Sequence, residues 1–95
     1  MRLPLSFEAS ITRDEFLRLL PAAVGGLPYI TSGDSFVHRA DGRSWCIRLT
    51  PLPEKALGLI RWRPMRLDFS FEAYDPAEIA SFMARFELYF RRGGG

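Results

Sequence analysis

The 95-residue chain reads as a single two-layer α+β domain, an antiparallel sheet carrying two helices on one face in the order β-α-β-β-β-β-α. Three observations carry this reading. Residues 65–72 alternate without a fault, Met65, Leu67, Phe69 and Phe71 to one side and Arg66, Asp68, Ser70 and Glu72 to the other, the period of a strand with one buried face. Asp41-Gly42 is a favoured two-residue turn between two further strand-like runs. Two segments open with helix-capping residues and continue with apolar residues at helical spacing.

Taken in order, Leu3, Leu5, Phe7 and Ala9 alternate with Arg2, Pro4, Ser6 and Glu8 and give a first strand. Pro4 has no N–H to donate, which is tolerated at a sheet edge or a strand start, so this strand is expected to have one unpaired side near its beginning. Thr12 then caps a helix, with Glu15 three residues on to complete a capping box and Phe16, Leu19, Leu20 and Ala23 as the buried stripe. Pro21 ends or kinks that helix, and Gly25-Gly26 supplies the stop if it runs on. Leu27 to Gly33 is a loop or a bulged strand start. Counting outward from Asp41-Gly42 pairs Ala40 with Arg43, His38 with Trp45 and Phe36 with Ile47, so Phe36, Trp45, Ile47 and Leu49 face the core.

Residues 50–55, with Pro51 and Pro53, form a loop, and Ala56 to Trp62 is expected to return as a strand. A turn at Arg63-Pro64 would then place Trp62 opposite Met65, Ile60 opposite Leu67 and Gly58 opposite Phe69. Asp75-Pro76-Ala77-Glu78 starts the second helix: Asp as N-cap, Pro at the first helical position, Glu at the third. Ile79, Phe82, Met83, Phe86, Tyr89 and Phe90 form its wide apolar face, Arg91-Arg92 complement its C-terminal dipole and Gly93 stops it. Residues 1–92 are thus expected to be one domain and 93–95 a flexible glycine tail. In element order this resembles a single TATA-box-binding-protein-like repeat and, in shortened form, the helix-grip folds, in which a C-terminal helix lies across a curved sheet. The likeness is topological and carries no motif.

Composition narrows the function classes. With 47% hydrophobic and 14% aromatic residues the chain has the means to build a core. The net charge is +2 and Lys55 is the lone lysine, an Arg excess that a GC-rich genome also produces by codon drift. Cys46 is the only cysteine, which excludes an intrachain disulfide and suits a reducing cytoplasm. Neither a signal-peptide core nor a membrane-length apolar run is present. The expectation is a cytoplasmic protein of bacterial type with no membrane contact and no cofactor.

Two groups of side chains stand out. Arg39, Arg48, Arg61 and Arg66 are expected on the sheet face away from the helices, with Arg61 and Arg66 directly opposed. Val37, Cys46, Leu57 and Leu59 are expected there too, leaving more apolar area open than a monomer normally does. His38, Trp45 and Trp62 are expected to point toward the helices, with Phe86 above them, and the helix-grip resemblance implies a ligand cavity in that space. His38 has no nucleophile or orienting acid within reach, Cys46 lying on the other face of the neighbouring strand, so the chain is not read as an enzyme. The leading expectation is an interaction or assembly module that forms a homodimer or binds another protein. Nucleic-acid or anion binding by the Arg-bearing face, and carriage of a small ligand under the C-terminal helix, are the alternatives.

Overall fold

A computed structural model of the chain describes residues 5–94, with side chains to residue 90. Leu3, Pro4, Gly95 and the side chains of Arg91 and Arg92 lie outside the described residues. The elements are β1 (Leu5–Ala9), α1 (Arg13–Ala23), β2 (Ile30–Ser32), β3 (Ser35–Ala40), β4 (Arg43–Pro51), β5 (Lys55–Leu57), β6 (Ile60–Trp62), β7 (Met65–Glu72) and α2 (Pro76–Gly94). Five strands form one antiparallel sheet in the order β1-β7-β4-β3-β2, and β5-β6 is a separate two-stranded hairpin. This is an α+β architecture with both helices packed on one sheet face. The large sheet and its helices run β-α-β-β-β-β-α as expected, but with a different set of strands: β2 enters the sheet and residues 56–62 leave it.

The Asp41-Gly42 turn fixes the β3–β4 register as counted, with Phe36 opposite Ile47, His38 opposite Trp45 and Ala40 opposite Arg43. Both turn residues have positive φ, 55° and 74°, as this class of hairpin turn requires. β1 is an edge strand, with one unpaired side as the proline pattern predicts. β7 sits between β1 and β4, where its Phe7-facing, Ile47-facing and Leu49-facing side chains close the core. Leu67, Phe36, Ile47, Trp45, Phe16, Leu20, Phe86 and Phe90 are all fully buried.

Capping holds both helices. Thr12 and Glu15 form the expected capping box on α1. Asp75 Oδ1 accepts from the Glu78 N–H at 2.8 Å while Glu78 Oε1 accepts from the Asp75 N–H at 3.0 Å, the same device on α2. α1 runs on past Pro21 to Ala23 and then stops at Gly25-Gly26. α2 continues through Gly93 to Gly94, one residue past the expected stop. The helices meet through Phe16 and Phe90, 5.2 Å between ring centres, and Arg85 of α2 donates to the Ala22 carbonyl at the end of α1 at 3.3 Å. α2 meets the sheet through Phe86, set edge-on to Phe69 at 4.8 Å.

The expected strand over 56–62 is corrected. It divides at Gly58, whose φ of 62° gives a Gly-first two-residue turn, and folds on itself with Leu57 opposite Ile60 and Ala56 opposite Arg61. Trp62, Ile60 and Gly58 therefore do not oppose Met65, Leu67 and Phe69. β4 takes that place, pairing Leu49 with Leu67 and Ile47 with Phe69. The physical reason is length: β4 offers nine residues with buried alternate side chains, whereas 56–62 is interrupted by a glycine and led in by prolines. Residues 30–32, left open between loop and strand, form the short outer strand β2.

The core and the hairpin should respond differently to substitution. Phe86→Ala should cost about 3–5 kcal/mol by chemical denaturation, as for a fully enclosed aromatic. Leu59→Ser, on the hairpin, should stay within about 0.5 kcal/mol, as at an exposed site. A loss at Leu59 comparable to that at Phe86 would mean that the hairpin packs on the domain.

Candidate functional site

The open face of the sheet is not an arginine surface. Reading the registers across, Ser32, Ser35, Arg48, Asp68 and Ser6 make one row, and Thr50, Arg66 and Glu8 the next. Arg66 Nε lies 3.1 Å from Asp68 Oδ2, and Arg48 is paired with the same aspartate across the ladder. Arg39 is exposed beside Ser44. Arg61 has left the sheet altogether and lies on β6 opposite Ala56, so the expected Arg61–Arg66 opposition does not exist. Leu57 and Leu59 have gone with it. What remains on the face is alternating charge and hydroxyl, with an apolar row at its β2 side in which Ile30 is 74% exposed and Val37 and Cys46 are half-buried.

The expected pocket also divides. Trp45 and Phe86 are solid core, with Trp45 in contact with Tyr29, His38 and Phe82. Trp45 Nε1–H is buried and has no acceptor among the described residues. Burial also raises the Tyr29 phenol above its ordinary pKa, so it remains neutral. Trp62 lies at the base of the β5–β6 hairpin beside Met65 and residues 10–13, bordering a shallow groove of about 440 Å³. His38 is elsewhere: Met65 pairs with Pro51 at one end of β4, and His38 pairs with Trp45 toward the other, roughly 20 Å away at strand rise.

At that other end a groove of about 700 Å³ opens between the β3–β4 turn, the N-terminus of α2 and the chain leaving α1. Its apolar lining is Leu27, Pro28, Ala40, Tyr74, Ala77 and Phe82. Ala73, with φ of 65°, turns the chain out of β7 and brings Tyr74 and Asp75 to the rim. His38 borders the groove at 6% exposure, its ring stacked on Trp45 at 5.5 Å. Its Nδ1 is 2.7 Å from the Pro28 carbonyl oxygen. A carbonyl only accepts, so Nδ1 carries the proton and donates, leaving Nε2 as an acceptor without a partner among the described residues. Three carboxylates, Asp41, Asp75 and Glu78, stand on the rim against one cation, Arg43, whose Nη2 pairs with Glu78 Oε2 at 3.0 Å and whose guanidinium covers Tyr74 at 4.2 Å. The rim is formally acidic by two charges, one base against three acids.

The other feature is the β5–β6 hairpin. Its neck is closed by the Leu52 N–H donating to the Pro64 carbonyl at 3.0 Å, and Lys55 Nζ ties it to Glu8 of β1 at 3.2 Å. Beyond the neck Leu57, Leu59 and Ile60 are 72%, 101% and 64% exposed. Arg61 follows this tip and Arg63 lies at the hairpin base, both exposed and without ion-pair partners among the described residues. The tip was missed from the sequence because Leu57, Leu59 and Ile60 fit a strand pattern. The available signal was Gly58, a Gly-first turn midway between two prolines-bounded loops.

Among the described residues no three His, Cys, Asp or Glu side chains cluster as a metal site, and no helix is long and apolar enough to cross a membrane. Compared with known proteins, the chain matches no protein family, no curated protein and no solved structure.

His38 is the only histidine, so its tautomer can be read directly. The ¹⁵N spectrum of its neutral ring should show a protonated Nδ1 and a lone-pair Nε2. The opposite pattern would mean that the Pro28 carbonyl does not orient the ring.

Proposed function

We propose that the protein is a non-enzymatic interaction module that self-associates, with the β5–β6 hairpin as its contact element. The observation that carries this reading is the exposed apolar tip, Leu57, Leu59 and Ile60, on a hairpin whose strands form no ladder with the main sheet. A two-stranded hairpin is marginal in water by itself, and three large aliphatic side chains in a row on one protrusion are the kind of surface that monomers rarely leave uncovered. The contact moves from the open sheet face to the hairpin because Leu57 and Leu59 lie there.

The alternatives have less support. An anion or nucleic-acid surface needs arginines free on one face, and here Arg66 is neutralised by Asp68, Arg48 faces that same residue and Arg61 is on another element. A carrier of the expected kind needs Trp45, Trp62 and Phe86 around one cavity, whereas Trp45 and Phe86 are fully enclosed and Trp62 lies at the hairpin base. Localisation in the cytoplasm accords with a chain of one cysteine and forms part of the same proposal.

Full burial of each tip side chain contributes about 1.5–3 kcal/mol, and association costs about 4–15 kcal/mol, so the contact should be weak. Sedimentation velocity from about 10 µM to about 1 mM, the range in which such a small interface dissociates, should show concentration-dependent association. Leu57→Ser/Leu59→Ser/Ile60→Ser should abolish it with thermal unfolding unchanged. A wild-type chain that stays monomeric throughout would overturn the reading.

A further inference from the structure

The hairpin needs an acceptor, and the same chain presents one. Resting on the self-association reading, we propose that the hairpin tip of one copy docks in the groove beside His38 of a second copy, a contact between two different surfaces rather than a surface paired with itself.

Charge decides between these arrangements. Two hairpins brought tip to tip would set Arg61 of each against Arg61 of the other, like charges that disfavour the encounter. The groove offers the complement: an apolar floor that includes Ala77 and Phe82 and a rim with a formal excess of two negative charges. Asp41 makes no ion pair among the described residues and stands where a flanking arginine of the hairpin would arrive. At about 700 Å³ the groove is within the range of about 300–1,000 Å³ that accepts drug-sized apolar groups, enough for side chains of the tip. His38 also borders this groove, an imidazole 6% exposed and oriented by the Pro28 carbonyl, with Nε2 as the ring's remaining acceptor.

The positions of the two surfaces fit such an exchange. They lie at opposite ends of β4, Arg43 at the groove and Pro51 at the hairpin neck. Two copies lying antiparallel make the contact twice and close as a dimer, and copies in series make it repeatedly. In the closed case the second contact forms at high effective concentration, which offsets the small size of each.

The test is complementation between two defective variants. The first is Leu57→Ser/Leu59→Ser/Ile60→Ser, which keeps the groove and loses the tip. The second is Ala77→Arg, which keeps the tip and puts bulk and positive charge into the groove from an exposed helix position. Each should sediment as a monomer where the wild type associates, and their equimolar mixture should recover a 1:1 dimer and nothing larger. Asp41→Asn removes one rim charge while keeping a residue that the turn accepts, and should weaken wild-type association about two- to fivefold, the worth of one exposed charge contact. If the tip variant is monomeric while Ala77→Arg associates like the wild type, the hairpin acts on some other surface and this inference falls while the self-association reading stands. The mixture makes the contact once, without the help of a second, so it is read at the top of the range: no heterodimer even at about 1 mM overturns the inference equally. A wild-type chain that never associates removes both.

Discussion

The β4–β7 ladder is the constraint on which the rest of the molecule depends. It runs without interruption from Ser44 opposite Glu72 to Pro51 opposite Met65, and its inward pairs, Trp45 with Phe71, Ile47 with Phe69 and Leu49 with Leu67, form the floor of the core. Each strand fixes one further neighbour, β3 through the Asp41-Gly42 turn and β1 through Phe7 opposite Leu67. α2 is then held by Phe82 and Phe86 against Phe71 and Phe69, and α1 by Phe16 against Phe36 and Phe90. Aromatic pairs recur along this chain of contacts, which suits a small domain: each ring buries a large apolar area for few frozen torsions.

What the sequence made legible was local. Capping residues, alternation over 65–72 and the Asp41-Gly42 pair each act within a few residues, and the elements they specify are present with the expected faces. The error came from extending local reasoning to a choice between neighbours. Counting back from Arg63-Pro64 assumed that the segment nearest in sequence would pair with β7, but pairing is decided by the apolar surface each candidate can bury. β4 brings Trp45, Ile47 and Leu49, while 56–62 is broken by Gly58. A single reassigned neighbour then moved Arg61, Leu57, Leu59 and Trp62 together, and with them both candidate sites.

The groove at His38 illustrates a related limit. Asp41, Arg43, Asp75 and Glu78 are unremarkable in sequence, serving as turn and capping residues. Their acidity acts in concert only because the β3–β4 turn and the start of α2 meet at one end of the sheet, a fact of tertiary arrangement that no spacing within either segment announces. Glu78 shows how economical this is, closing the helix cap through Oε1 and holding Arg43 through Oε2.

The excursion between Pro51 and Met65 has a further meaning. These two residues already face one another at the end of a completed ladder, so the domain would be closed by a tight turn in place of residues 52–64. Thirteen residues instead of two raise the entropy lost on joining the strands by about 1.7 kcal/mol, from the logarithmic dependence on loop length. Folding gains nothing in return from the exposed leucines at its end. The hairpin is thus a removable appendage on a self-sufficient sheet, a place where the chain can be lengthened, shortened or exchanged without disturbing the register beneath it.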